Sequence, residues 1–201
     1  MEGAAGLAFL REAHHVDQQL TLAVNALHCP ASDAVWQLFS NPYIWYVLYL
    51  AVMVFLFRRL GWKRALAVTL ACVLMVLVCD QFANFTKVYF GRLRPCWDQN
   101  MVAGGLHILE RKGRLYGFYS AHAANAAGFA VCSWLGLRQA RCGRCRGYAW
   151  FIFSWAFLVG ISRVFVGKHF LGDVLVGFAV GLLAGWLFAS LARLVTARLA
   201  E

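Results

Sequence analysis

Charged residues are scarce in this chain. Asp, Glu, Lys and Arg make up 14% of its 201 residues against 62% hydrophobic, and the mean hydropathy is +0.62. A soluble domain of this length cannot hide so much apolar surface, which excludes an ordinary globular protein and points to one integral membrane domain. Acids are scarcer than bases, 9 against 19, giving a net charge of +10. No soluble basic domain carries that surplus, so no nucleic-acid partner is expected. In a membrane chain it marks cytoplasmic loops and contact with anionic headgroups. Residues 1–13 lack a basic start followed by a long apolar run, so no cleavable signal peptide is expected. The 7 cysteines include one CxxC, Cys142 with Cys145, and no second one. A four-ligand zinc site is therefore not expected there, and a redox pair is the remaining option. Cys72, Cys79 and Cys132 lie inside apolar runs and read as small buried hydrophobes.

What is abundant is long apolar sequence. Spans are expected over about 43–57, 65–86, 121–137, 148–161 and 174–194, giving an all-α polytopic membrane helix bundle of about five spans. Two shorter apolar-periodic stretches, about 16–27 and 33–39, precede them and are too short to cross; they read as interfacial or re-entrant helices. The chain thus divides into an N-terminal segment, 1–42, and a membrane domain, 43–201. Gly177, Gly181 and Gly185 recur every four residues in the last span, a seam for close helix packing. The loops with Arg58, Arg59, Lys63 and Arg64 and with Arg138, Arg141, Arg144 and Arg146 are short and densely basic. The positive-inside rule assigns them to the cytoplasm, which leaves the loop at 87–119 and the stretch 162–173 on the opposite, outer face.

Three polar clusters from separate spans reach that outer face. One holds Lys87, Arg94 and Pro95; the second holds Ser120, Ala121, His122 and Asn125; the third holds Ser162, Arg163, His169 and Asp173. His169 and Asp173 are four residues apart, a spacing that stacks both on one helical face. A carboxylate behind an imidazole fixes its tautomer and leaves the other ring nitrogen free to attack or exchange a proton. The bland alternative for this stretch alone is a charged helix anchor. Three cations around two histidines make an anion site with acid–base equipment, and phosphate matches the arginine forks. Ser120 stands where a span begins, so as an N-cap it aims backbone N–H groups and the positive helix end at the same anion.

Lys87-x6-Arg94-Pro95, Ser120-x-His122 and Ser162-Arg163-x5-His169-x3-Asp173 together resemble the three-part signature of the type 2 phosphatidic acid phosphatase superfamily, over roughly residues 43–194. The middle part departs from the family's Pro-Ser-Gly-His, reading Tyr-Ser-Ala-His at 119–122. The resemblance implies a metal-independent lipid phosphatase with no cofactor. His169 would be the nucleophile that forms a phosphohistidine, Asp173 its orienting carboxylate and His122 the general acid. Lys87, Arg94, Ser120, Arg163 and the backbone N–H of Ala121 would hold the phosphoryl oxygens. Run 117–125 looks most like the small bacterial members, so the resemblance also implies a bacterial inner membrane with the site facing the periplasm.

Undecaprenyl diphosphate is the leading substrate on this reading. Phosphatidylglycerophosphate, phosphatidic acid and lipid A phosphates are rivals, and transfer to another lipid is the alternative to hydrolysis. A non-catalytic lipid binder is opposed by the intact His122, His169 and Asp173. A transporter is opposed by polar groups that gather at one edge rather than near the midplane.

Other polar residues have less specific readings. Asp80, Asn84 and Lys87 share a helical face, and Asp80 is either a partner of the site cations or a helix-packing acceptor. Asn125 reads as a structural hydrogen bonder. Arg92 reads as a solvated loop cation, with contact to a second phosphate or a headgroup as the alternative, and the run Arg111, Lys112 and Arg114 as solvated charge, with attraction of an anionic substrate as the alternative. His14, His15, His28 and His107 read as surface groups, and Glu110 and Asp98 have no paired carboxylate.

Overall fold

A computed structural model describes residues 2–139 and 145–198. Cys142 lies outside the described residues, so the expected CxxC pair lies partly outside them too. The chain forms α1 (Glu2–Asn25), α2 (Pro30–Ser40), α3 (Pro42–Leu60), α4 (Trp62–Phe90), α5 (Gln99–Ala103), α6 (Ala121–Arg138), α7 (Arg146–Phe165) and α8 (Leu171–Arg198), with one 3₁₀ turn at Pro95–Trp97. Local chemistry sets the ends. Pro30 and Pro42 each occupy the first helical position, where a missing N–H costs nothing. Asn41 caps α3 by accepting from the Tyr43 N–H at 3.1 Å. Gly91, at φ 57°, takes the left-handed turn that ends α4.

Among the described residues four helices, α3, α4, α7 and α8, are long and apolar enough to cross a membrane. Their outer faces keep large apolar side chains exposed, among them Leu70, Leu74 and Leu77 of α4, as a lipid-facing surface requires. The remaining expected span is α6. Twelve of its 18 residues are buried, so it forms the axis of the bundle, packed by α3, α4, α7 and α8. Alanine and glycine suffice there because protein, rather than lipid, surrounds it.

The glycine seam is the tightest contact. A Cβ at Gly177 would stand 2.5 Å from the Ser120 carbonyl oxygen, one at Gly181 2.2 Å from that of Ala124, and one at Gly185 2.5 Å from that of Gly128. Three successive turns of α8 therefore lie directly on the backbone of α6. At the other end of the bundle Thr196 Oγ1 donates to Gln139 Oε1 at 3.4 Å, so the C-terminal ends of α6 and α8 stay together.

The N-terminal segment is more continuous than its apolar spacing indicates, since α1 begins well before residue 16. It docks on α7 and α8, and α2 docks on α7. Trp36 of α2 stacks on Phe165 at 4.1 Å between ring centroids. Asn25 at the end of α1 donates to the carbonyls of His107, Val164 and Phe165 at 3.0–3.1 Å. One amide thus joins α1, the loop between α5 and α6 and the end of α7.

Candidate active site

The C-terminal ends of α4 and α7, the N-terminal ends of α3 and α6 and the loops before α6 and α8 surround a cavity of about 420 Å³. Of the expected residues, Lys87, Arg94, Ala121, His122, Asn125, Arg163, His169 and Asp80 line it. Three clusters far apart in sequence therefore converge. Ser120, Ser162 and Asp173 are buried and do not line it, and Asn84 is exposed. Ser120 is fully buried as the N-cap of α6, its Oγ accepting from the Ala123 N–H at 3.5 Å. Ser162 Oγ turns back onto the Val159 carbonyl at 2.8 Å within its own helix.

His169 is buried, and its Nδ1 lies 3.4 Å from Asp173 Oδ2. That is longer than a well-formed hydrogen bond, and Nδ1 has no satisfied partner among the described residues. The orientation still assigns Nδ1 to the carboxylate side and leaves Nε2 as the other ring nitrogen. Burial, with Arg94, Arg163 and Lys87 nearby, holds the His169 pKa well below the usual imidazole range, so the ring is neutral at neutral pH. Contact with the Gly117 backbone works in the opposite direction. Gly117 cannot carry a side chain here: a Cβ would meet Arg94 Cγ at 2.9 Å and Asp173 Oδ2 at 3.3 Å.

Asp173 is fully buried, which makes its partners decisive. Oδ2 accepts from the Phe170 N–H at 3.2 Å, and Oδ1 accepts from Arg92 Nη1 at 2.7 Å. Arg92 is therefore no solvated loop cation. Its other branch reaches Asp17 Oδ2 of α1 at 2.6 Å and His14 Nδ1 at 3.2 Å, and its guanidinium lies 4.2 Å over the Phe170 ring. Asp17 Oδ1 also accepts from the Gly172 N–H at 2.8 Å, and Thr21 Oγ1 from the Leu171 N–H at 2.9 Å. The first turn of α8, which carries Asp173, is thus capped by α1.

The cations are held from outside the cavity. Arg163 Nη1 donates to the Ser40 carbonyl at 3.1 Å and also contacts Ser40 Oγ, with Glu110 Oε1 at 3.8 Å. Glu110 Oε2 stands 3.7 Å from Lys168 Nζ. Glu110, which has no carboxylate partner, bridges two buried cations instead. Arg94 Nε donates to the Tyr116 carbonyl at 3.1 Å. Arg114 is exposed, as a loop cation is expected to be, and it also lines the cavity and donates to Asn84 Oδ1 at 3.2 Å. Asp80 accepts from Asn125 Nδ2 at 2.9 Å, which joins α4 to α6. Tyr119, standing where the family pattern has proline, is buried and donates to the Cys79 carbonyl at 3.0 Å; the peptide before it is cis.

A family model described as the PAP2 superfamily matches residues 65–196. The chain belongs to the PAP2 superfamily. It is 35% identical to a lipid A 4'-phosphatase of Bacteroides thetaiotaomicron over 186 residues, covering 92% of this chain and 80% of that protein. It is 33% identical to a lipid A 4'-phosphatase of Porphyromonas gingivalis over 171 residues, covering 85% of this chain and 70% of that protein. A transmembrane PAP2-type phosphatidylglycerolphosphate phosphatase of Bacillus subtilis shares the fold with a TM-score of 0.72 at 21% identity, over 90% of this chain and 87% of that one. LpxE of Aquifex aeolicus does so with a TM-score of 0.63 at 22% identity, over 86% and 93%. The PAP2 chain described here is an integral membrane lipid phosphatase.

Sequence reasoning missed Arg92, Asp17, Thr21, Ser40, Glu110 and Lys168. Arg92 and Lys168 lie inside the signature segments, and that adjacency is the one signal pointing to them. Asp17 and Ser40 touch the site through partners as far as 155 and 123 residues away, which leave no periodic trace.

Proposed function

We propose that this phosphatase removes phosphate from a lipid A-type headgroup at the outer face of a bacterial inner membrane. The observation that carries the reading is continuity between two spaces. The cation-lined cavity shares Tyr46, Tyr49 and Val76 with an apolar groove of about 210 Å³ between α3 and α4. That groove opens outward past Tyr46, Val73 and Leu77, all exposed on the lipid-facing surface. A phosphate among the cations and an acyl chain in the groove can be held together, as a substrate half in the bilayer requires. The curated relatives at 33–35% identity carry lipid A 4'-phosphatase names, which moves lipid A phosphate ahead of undecaprenyl diphosphate.

The chemistry follows from the ring geometry. Nε2 of neutral His169 attacks phosphorus, and the bond from phosphorus to the lipid oxygen breaks as His122 gives that oxygen its proton. Water then attacks the phosphohistidine. His122 takes its proton, the N–P bond breaks, and inorganic phosphate leaves. Lys87, Arg94 and Arg163 stabilise charge on the phosphoryl oxygens, the task that Mg²⁺ performs in other phosphoryl transfers. Asp173 supports the imidazolium character that develops on His169, and the N-terminus of α6 presents the Ala121 N–H.

Purified protein in detergent micelles, without added metal, is to be assayed for phosphate release. The panel is lipid A, undecaprenyl diphosphate, phosphatidylglycerophosphate and phosphatidic acid, with His169→Ala beside the wild type. Release that is fastest with lipid A and lost in the variant is the expected result. Preference for another lipid overturns the substrate, and no release from a folded protein overturns hydrolysis. A phosphorylated acceptor lipid formed without free phosphate would show transfer instead.

A further inference from the structure

A second cluster of titratable groups lies outside the catalytic cavity. His28 follows α1, Asp33 stands in the first turn of α2, and His107 comes from the outer loop. One ligand atom from each lies within 4.8 Å of the other two. His107 Nε2 is 3.0 Å from Asp33 Oδ2, and His28 Nδ1 is 3.8 Å from Asp33 Oδ1. His28 Nδ1 and Asp33 Oδ1 are buried atoms with no hydrogen-bond partner among the described residues, and they face each other. Buried polar atoms without partners carry a desolvation penalty and call for an ion or water. An Asp33–His107 pair satisfies one carboxylate oxygen; an ion between the three side chains satisfies both, together with His28.

We propose that His28, Asp33 and His107 bind one divalent transition-metal ion, with Zn²⁺ the expected occupant. Two imidazoles and a carboxylate form the borderline N and O donor set that Zn²⁺ favours, with water completing the shell. The side chains are 20–32% exposed, which leaves a path for both the ion and that water. The two rings stack with 3.6 Å between centroids and 5° between planes. Binding tilts them apart, so that both lone pairs point at one centre.

The location gives the ion a structural task separate from phosphate chemistry. The His107 backbone is already clamped by Asn25, which accepts from its N–H at 2.8 Å and donates to its carbonyl at 3.1 Å. Gly167 lies so close that a Cβ there would meet the His107 oxygen at 2.9 Å. The ion fastens the α1–α2 turn to this loop, and α2 ends at Ser40, the partner of Arg163.

Metal binding is read on His169→Ala protein, so that turnover plays no part. The protein is stripped with EDTA, desalted and titrated with Zn²⁺ against a chelating dye, and its thermal unfolding is followed in parallel. One equivalent bound with micromolar or tighter affinity, and a Tm raised by roughly 5 °C at a hundred-fold excess over Kd, is expected. Both effects are to fall at least about ten-fold in affinity, or vanish, in Asp33→Asn and His107→Ala. Should either variant not fold, His28→Gln supplies the comparison. Co²⁺ in place of Zn²⁺ gives a visible spectrum that reports nitrogen and oxygen ligation. Failure to take up an equivalent, or equal uptake by folded variants, overturns the site.

Discussion

Arg92 Nη1 stands 2.7 Å from Asp173 Oδ1, and its other terminal nitrogen stands 2.6 Å from Asp17. One guanidinium therefore spans two carboxylates, one of them behind the candidate nucleophile. Removing one partner of a buried ion pair costs about 3–5 kcal/mol, because the other charge stays buried alone. Arg92→Ala is expected to lower Tm and to reduce kcat on the order of 10², since Asp173 then takes up a proton or shifts away from His169. Arg92→Lys restores charge without the fork and is expected to recover part of the activity. Steady-state kinetics and thermal unfolding of both variants check this.

Loss of a single cavity cation should act on the chemical step. Arg94→Ala and Arg163→Ala are each expected to reduce kcat by on the order of 10²–10³, by analogy with removal of one preorganised donor. His169→Ala and His122→Ala are expected to leave no release above background. An alkaline denaturing quench of a single turnover, under which an N–P bond survives, should retain phosphorylated protein with the wild type and none with His169→Ala.

The pH profile follows from burial of His169. Its pKa is pushed below the usual imidazole value, so the neutral nucleophile persists as pH falls through about 6.5. The acid limb of kcat/KM assigned to this group is expected below that pH, because kcat/KM reports the free enzyme. Arg94 is among the charges that lower the value. Arg94→Gln should therefore move the limb upward, toward the ordinary imidazole pKa. A limb unmoved by that change counts against the assignment.

The glycine seam separates stability from chemistry. Gly177→Ala and Gly185→Ala both force a Cβ against a carbonyl oxygen at 2.5 Å. Each is expected to cost roughly 1–3 kcal/mol as an overpacked contact and so to lower Tm in detergent. Only Gly177 lies on Ser120, the cap that leads into His122. Gly177→Ala is therefore expected to lower kcat as well, while Gly185→Ala leaves kcat near wild type.

The bundle was legible wherever apolar length decided it. The five expected spans match α3, α4, α6, α7 and α8 within a few residues at each end. The glycine spacing at 177, 181 and 185 correctly indicated where α8 lies closest to a neighbour. Lys87, Arg94, His122, Arg163 and His169 were legible as a group, because three separate segments carried recognisable spacing and topology put them on one face. The supports behind them were not. Asp17 looks like any polar residue on an amphipathic helix, and Ser40 like a helix end; what they do depends on partners 155 and 123 residues away. Arg92 was misread as solvated because loop cations usually are, and here the buried Asp173 and Asp17 of α1 hold it.

Asp17 receives the Gly172 N–H across 155 residues of chain. At synthesis rates of about 5–20 residues per second, the cap exists for roughly 8–30 s before the helix end it closes has been made. During that interval α3, α4, α6 and α7 are made, and α1 has no α8 to dock on. Assembly of the site therefore needs α1 to meet α8, and a nascent chain that ends before α8 has Lys87, Arg94 and Arg163 but lacks the Asp173 carboxylate that stands beside His169.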